Sequence, residues 1–433
     1  MRLLPLLVIA TGLLVTAGTQ SGFQRWINQQ YDVFRKGFWS GLQSHGSASR
    51  RPSSRNAITR PERGNDIGDT SKRFANRFQN VVPQDQPFPC DTSAGAPGMR
   101  SPTRPTSVHR LRPGDIDVIG AMGDSLTAAN GAAAASLAEV YIENRGMSWS
   151  GGGEKTWREY LTLPNILKEF NPNLIGYSLR DSLGSERASQ FNVGEPLAIS
   201  SDMLFQARLL VRRMKTDKRV DYERDWKMVT IMVGPNDFCS HMCYMRNPSN
   251  EIKIHHNELV KALNYLRDNM PRVIINLVAP PQLRALRDIP DFSSECYITH
   301  AYECPCLFGL LWKDKKESFT AIMSEVQNID IQMSTKSEFN TKDDFAVVSH
   351  SYLRDTHIPT KTSKSGNVGT DFNFLSEDCF HFSQRTQAAA ANTLWNSLLE
   401  PVGNKSSTHL LMPFERFLCP TEEHPYICTN NNS

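Results

Sequence analysis

Three short stretches of the chain hold residue types that together perform nucleophilic catalysis. Ser125 stands in Gly123-Asp124-Ser125-Leu126, after the apolar run 116–122 and before the helix-prone run 128–138. A serine at a strand-to-helix turn projects its hydroxyl from the end of a sheet. Its N–H lies beside a helix N-terminus, where negative charge is favoured. Taken alone, the tetrapeptide fits a helix-capping serine equally well. An alcohol nucleophile needs an adjacent base, and the base needs a third group to fix its tautomer. Asp378-Cys379-Phe380-His381 supplies both, because a three-residue step lets Asp378 reach one ring nitrogen of His381 and leaves the other for a distant serine. The third stretch, Gly234-Pro235-Asn236-Asp237, follows the apolar run 228–233. The Asn236 amide suits an oxyanion donor, although an ordinary Asn-Asp turn has the same sequence. Together they assign Ser125 as nucleophile, His381 as general base and Asp378 as its orienting acid.

These residues need a scaffold. Short apolar runs at 116–122, 228–233, 273–279 and 345–349 read as strands. Between them, Ser201-Asp202 caps a helical period through Met203, Phe205, Ala207, Leu210 and Val211. Residues 251–267 and 383–399 repeat apolar residues at helical steps. Strands alternating with helices predict an α/β domain with a parallel sheet covered on both faces, whose ligands sit at the carboxyl ends of the strands. Ser125 and Asn236 both fall at such ends.

With 39% hydrophobic and 21% charged residues the chain can bury a sizeable core, and a net charge of +3 from 48 basic and 45 acidic residues gives no nucleic-acid footprint. Residues 1–18 read as a secretory signal peptide: Arg2, an apolar run over 3–15, then small residues. Residues 19–44 place Phe23, Trp26, Ile27, Tyr31, Phe34 and Phe38 along one helical stripe, which suits packing on the protein itself or lying on a membrane surface. From there to 104 the Arg, Ser, Pro and Gly content predicts a largely disordered linker or pro-segment, with the folded domain running from 105 to 433. Neither a C-terminal membrane helix nor a lipid-anchor signal is expected, so the reading is a secreted or luminal protein. Nine cysteines suit an oxidising compartment, with Cys239–Cys243 and Cys419–Cys428 as local pairing candidates and one cysteine left over. The C-x-C step of Cys304 and Cys306 near His300 is tighter than usual zinc spacing. Asn404 and Asn431 sit in glycan acceptor motifs.

Beyond these blocks, Pro105-Thr106-Ser107-Val108-His109-Arg110, Thr162-Leu163-Pro164-Asn165, Asp225-Trp226-Lys227 and Glu377-Asp378-Cys379-Phe380-His381 resemble the phospholipase B branch of the SGNH, or GDSL-type, lipases and esterases. The resemblance covers roughly residues 105–425. It implies an SGNH-hydrolase-like three-layer α/β/α sandwich with a mostly parallel central sheet. It implies a triad of Ser125, Asp378 and His381, with Asp124 structural. It also implies an oxyanion hole made by the Ser125 N–H, a glycine N–H and the Asn236 side chain. The matching glycine block is Asn192-Val193-Gly194-Glu195-Pro196-Leu197-Ala198, with Leu197 where the glycine should fall. Leu197 retains the N–H, but its Cβ resists a positive φ; Gly194 is the substitute donor if the loop is remodelled. The expected activity is cofactor-free and metal-free release of fatty acids from glycerophospholipids and lysophospholipids at a membrane or micelle surface, with no obligate protein partner. A short-chain carbohydrate or small-ester esterase, and a weakly active or non-catalytic lipid-binding protein, are the alternatives.

Overall fold

The computed structural model describes residues 75–362 and 366–433. The signal peptide, the aromatic stripe and the first part of the linker therefore lie outside the described residues. Four strands, β1 (Val118–Gly123), β2 (Lys227–Met232), β3 (Val273–Val278) and β4 (Phe345–His350), form one all-parallel sheet in the order β1-β2-β3-β4. Single parallel bridges at Val118–Ile175 and Ala121–Asn192 cover the β1 edge. All four strands are buried along their whole length, as parallel strands between two helical layers must be.

Nine α-helices lie wholly within the described residues: α1 (Ser125–Ala128), α2 (Leu163–Phe170), α3 (Met203–Thr216), α4 (Asn250–Asn269), α5 (Arg284–Arg287), α6 (Ser294–Glu303), α7 (Pro305–Phe308), α8 (Lys316–Met333) and α9 (Gln384–Leu399). The two-residue period of a strand sends alternate side chains to opposite faces. Ile119, Met228, Met232, Ile274 and Val348 pack with Ile166 and Phe170 of α2 and with Leu394 and Trp395 of α9. Val118, Met122, Val229, Ile275 and Val347 pack with Leu210 of α3 and with Leu259 and Leu263 of α4. The result is the α/β/α sandwich that the strand and helix pattern implies.

A third apolar cluster, with Phe238, Leu307, Phe319 and Met323, lies around α6, α7 and α8. Three disulfides staple it: Cys239–Cys304, Cys243–Cys306 and Cys296–Cys379. The fourth, Cys90–Cys419, joins residues 329 positions apart, and Cys428 is free. Both local pairing candidates are thus corrected. Cys239 and Cys243 each meet a cysteine flanking or within α7. Cys428 is carried to the end of α9, where its N–H donates to the Leu398 carbonyl (2.8 Å). Cys304 and Cys306 are both consumed, which removes the sulfurs of the zinc alternative.

The domain start also needs correction, because residues 75–104 are packed rather than linker-like. Gln79 donates through its backbone to Gln384 (2.8 Å) and accepts from the Leu161 N–H (2.7 Å). Val82 and Cys90 are buried, and Phe88 stands edge-on to Trp157, Phe170 and Phe417. These contacts are long-range, so the local composition carried no sign of them. The helix expected over 128–138 is likewise shorter: α1 stops at Ala128, and Ala129 takes a left-handed φ of 57°.

Candidate active site

β1 ends in Gly123 at φ 149°, where a Cβ would come within 2.3 Å of the Met232 carbonyl. Only glycine lets β1 turn into α1 this close to β2. Asp124 caps α1, its Oδ1 accepting from the Leu126 N–H (2.9 Å), so Ser125 opens the helix with an N–H that has no intrahelical acceptor. Asp124 is therefore structural by geometry, and its other oxygen is buried without a hydrogen-bond partner among the described residues.

The turn bearing the acid and base is pinned from both ends. Ser376 N–H donates to the His381 carbonyl (2.8 Å), and Cys379, at φ 60°, is tied to Cys296. Asp378 Oδ1 accepts the N–H groups of Phe380 (2.9 Å) and His381 (3.0 Å). Its Oδ2 accepts from His381 Nδ1 (2.6 Å), which leaves Nε2 facing Ser125 Oγ at 2.9 Å. The three residues expected to form a triad thus make one hydrogen-bonded chain.

Their charges are mutually tuned. Burial opposes ionisation of Asp378, but the neighbouring His381 and the hydrogen bonds it accepts hold its carboxyl below the ordinary range. Burial also opposes protonation of His381, yet Asp378 and the charge of Asp124 together raise it above its usual value. Asp124 itself is pushed up to about 7 by burial.

The oxyanion candidates come from two loops at the same edge of the sheet. After the Ala121–Asn192 bridge, Glu195 N–H donates to the Gly123 carbonyl (3.0 Å), which holds the block loop against the nucleophile turn. Leu197 adopts φ 64°, the left-handed conformation that a glycine takes freely. Its N–H has no acceptor among the described residues. Gly194 has no such backbone requirement; its carbonyl accepts from Arg145 Nη2 (2.6 Å). Asn236 spends one amide N–H on the Ala198 carbonyl (3.0 Å) and keeps a second. One hydrogen bond therefore links the two donor elements.

Three supporting groups escaped the sequence reading. Arg145, fully buried, pairs with Glu143 (2.6 Å) and binds the carbonyls of Asn192 (3.0 Å) and Gly194. It fixes the block loop from below. Asp237 accepts the Ser200 N–H through both oxygens (3.1 Å each). Ser200 Oγ meets His255 Nδ1 (2.7 Å), and His255 Nε2 meets Asp330 (2.7 Å). This second Ser-His-Asp chain is wholly buried, so it braces the Asn236 turn and has no access to substrate. Lastly, Glu303 at the end of α6 places a carboxyl oxygen within 4.8 Å of Asp378 and His381, and burial and the Asp378 charge push its carboxyl well above the ordinary range.

Carboxylate and imidazole atoms lie within 4.8 Å of one another in two groups among the described residues: Glu303, Asp378 and His381, and Asp237, His241 and Glu251. The first is the site just described. In the second, Glu251 pairs with His241 Nδ1 (2.8 Å) and Asp237 with Ser200.

Residues 119–394 match the family of GDSL-like lipases and acylhydrolases. The chain is 36% identical over 333 residues to the membrane-associated phospholipase B1 of Rattus norvegicus and 37% identical over 332 residues to that of Homo sapiens. Each alignment covers 76% of this chain and 22% of the relative, so the chain spans under a quarter of their length. The family match encloses the nucleophile turn, both oxyanion loops and the Asp378–His381 turn. The chain belongs to the GDSL-like lipase and acylhydrolase family of carboxylic ester hydrolases.

Proposed function

We propose that this chain releases fatty acids from glycerophospholipids and lysophospholipids through an acyl-enzyme on Ser125. The hydrogen-bonded chain Ser125–His381–Asp378 carries the reading. Similarity to proteins named phospholipase B1 supports the substrate class.

Ser125 Oγ attacks the acyl carbonyl while His381 Nε2 takes its proton. Asp378 holds the imidazolium in register and stabilises its charge. The N–H groups of Ser125 and Leu197 and the free amide N–H of Asn236 receive the developing oxyanion. As the tetrahedral intermediate collapses, Nε2 passes its proton to the leaving glyceryl oxygen. A water molecule, deprotonated by His381, then attacks the acyl-enzyme and frees the fatty acid. As that second intermediate collapses, Nε2 passes the water's proton to Ser125 Oγ, which replaces the proton that left with the glyceryl alcohol, and no step calls for a metal or cofactor.

The proposed setting is the secretory pathway or the cell exterior, supported by the apolar run over 3–15 and by four disulfides. Among the described residues no helix is long and apolar enough to cross a membrane.

The test is fatty-acid release from phosphatidylcholine and lysophosphatidylcholine, with the Ser125→Ala protein alongside. The reading expects release from both lipids and none from Ser125→Ala at an unchanged melting temperature. Turnover confined to acetyl and butyryl esters would replace phospholipid with small esters as substrate.

A further inference from the structure

Of the twelve exposed large apolar residues in the described structure, five fall within residues 294–315: Tyr297, Ile298, Tyr302, Leu310 and Leu311. Leu310 and Leu311 are adjacent and 79% and 87% exposed, although each would gain by burial. The helical repeat explains how α6 presents such a face. Cys296, Thr299, His300 and Glu303 share one side, which faces the Asp378 turn: Cys296 is joined to it by its disulfide, Thr299 Oγ1 donates to the Asp378 carbonyl (2.7 Å), His300 Nε2 donates to the Cys379 carbonyl (2.7 Å), and the Glu303 carboxyl lies within 4.8 Å of that of Asp378. Ile298 and Tyr302, four residues apart, occupy the opposite side. One helix thickness, about 10 Å, therefore separates this apolar face from the triad acid.

The face is rigidly mounted. α7 joins α6 to the turn at Leu310–Lys315, and disulfides from Cys304 and Cys306 bind it to the segment after Asn236. Trp312 in that turn is edge-on to Tyr244, itself 51% exposed, and Lys315 lies over its ring at 5.3 Å. Positive charge borders the leucines. Arg287 engages Glu317 (2.9 Å) and Asp288 (2.8 Å), and Lys313, Lys315 and Lys316 form no ion pair among the described residues. Burial, with Arg287 and Lys313 close by, lowers the ammonium pKa of Lys316, a sign of crowded cations.

Exposed leucines and aromatic rings edged by lysines form the pattern that sits in a lipid headgroup region. We propose that this face, Ile298, Tyr302, Leu310 and Leu311 bordered by Lys313 and Lys315, docks the protein on an anionic phospholipid surface. It would thereby hold the proposed Ser125 site against aggregated substrate. This rests on the phospholipid reading of that site, and charge complementarity selects lipid over a second copy of the chain.

The test is co-sedimentation of the full chain with phosphatidylcholine vesicles, with and without phosphatidylserine, alongside hydrolysis of a monomeric butyrate ester in solution. Leu310→Ser with Leu311→Ser should weaken binding to both vesicle types about tenfold or more. Lys313→Glu with Lys315→Glu should weaken binding to the phosphatidylserine vesicles alone, by about fivefold or more per lysine. Neither pair should alter butyrate hydrolysis. Unchanged vesicle binding in both variants would overturn the proposal. So would a wild-type dimer that the leucine variant dissolves without loss of vesicle binding. Failure of the wild type to hydrolyse butyrate would count against the Ser125 mechanism and leave the vesicle result to judge the surface.

Discussion

His381 Nε2 lies 2.9 Å from Ser125 Oγ although 256 residues separate them in the chain. The approach depends on two turns held by unrelated devices. Ser125 is fixed by the Gly123 turn and the Asp124 cap, whereas His381 is fixed by a left-handed Cys379, a disulfide to α6 and a carboxylate three residues earlier. Each turn is locally over-determined, so the sheet has only to bring the two ends together.

In the proposed mechanism the Asn236 side chain offers the oxyanion a donor that its alanine variant lacks. Asn236→Ala should lower kcat by about 100- to 1,000-fold with a much smaller change in KM. The measurement is steady-state hydrolysis of a soluble ester. A loss expressed mainly in KM would assign Asn236 to substrate binding instead.

Leu197 contributes only its N–H, at φ 64°. A glycine keeps that donor and removes a left-handed cost of about 1 kcal/mol, offset by greater freedom in the unfolded chain. Leu197→Gly should therefore hold or raise kcat with little change in melting temperature. A fall in kcat of about tenfold or more would show that the Leu197 side chain itself serves the site.

In the proposed mechanism His381 acts as base only when neutral, and its neighbours raise its pKa above the ordinary 6.5. The rate should consequently fall as pH drops through a midpoint above 6.5. Removing the Asp124 charge in Asp124→Asn, which still caps α1, should move that midpoint to lower pH. Glu303→Gln keeps a polar group of the same size beside Asp378 and should leave the midpoint in place. Glu303→Ala exposes the full Asp378 charge to His381 and should move it upward. Profiles of kcat/KM against pH for the three variants decide the matter, and identical midpoints would rule out this electrostatic coupling.

Arg145 is buried with Glu143 and carries the block loop on two carbonyl contacts. Arg145→Met removes the buried guanidinium from Glu143 and both carbonyl contacts, so it should cost about 3–5 kcal/mol of stability. Thermal melting with urea titration measures this. A loss below about 1 kcal/mol would mean that the loop is held by its contacts to β1, Gly123 and Asn236 without need of Arg145.

The strands and the meeting of Ser125, Asp378 and His381 were legible because their signals are local. Each strand is an apolar run bounded by turn residues, and Asp378 and His381 sit at a spacing that a single turn closes. The disulfides were not legible: Cys90 finds Cys419 only once the chain is folded, and Cys239 bypasses the nearby Cys243 because helical geometry turns both toward α7. Residues 75–104 read as linker from composition, yet Gln79 and Phe88 pack on distant elements. Glu303, Arg145 and His255 escaped for the same reason, since a lone charged residue gives no sign of being buried against a partner far along the chain. Leu197 is the opposite case. It broke a local rule where the backbone still takes the conformation that the rule describes.

The most direct test of the catalytic assignment is covalent. The folded protein is treated with a fluorophosphonate probe, and the adduct is mapped by mass spectrometry beside Ser125→Ala. The account predicts a single adduct on Ser125 and none in the variant. No adduct in a protein shown to be folded, or an adduct that persists in Ser125→Ala, would contradict it.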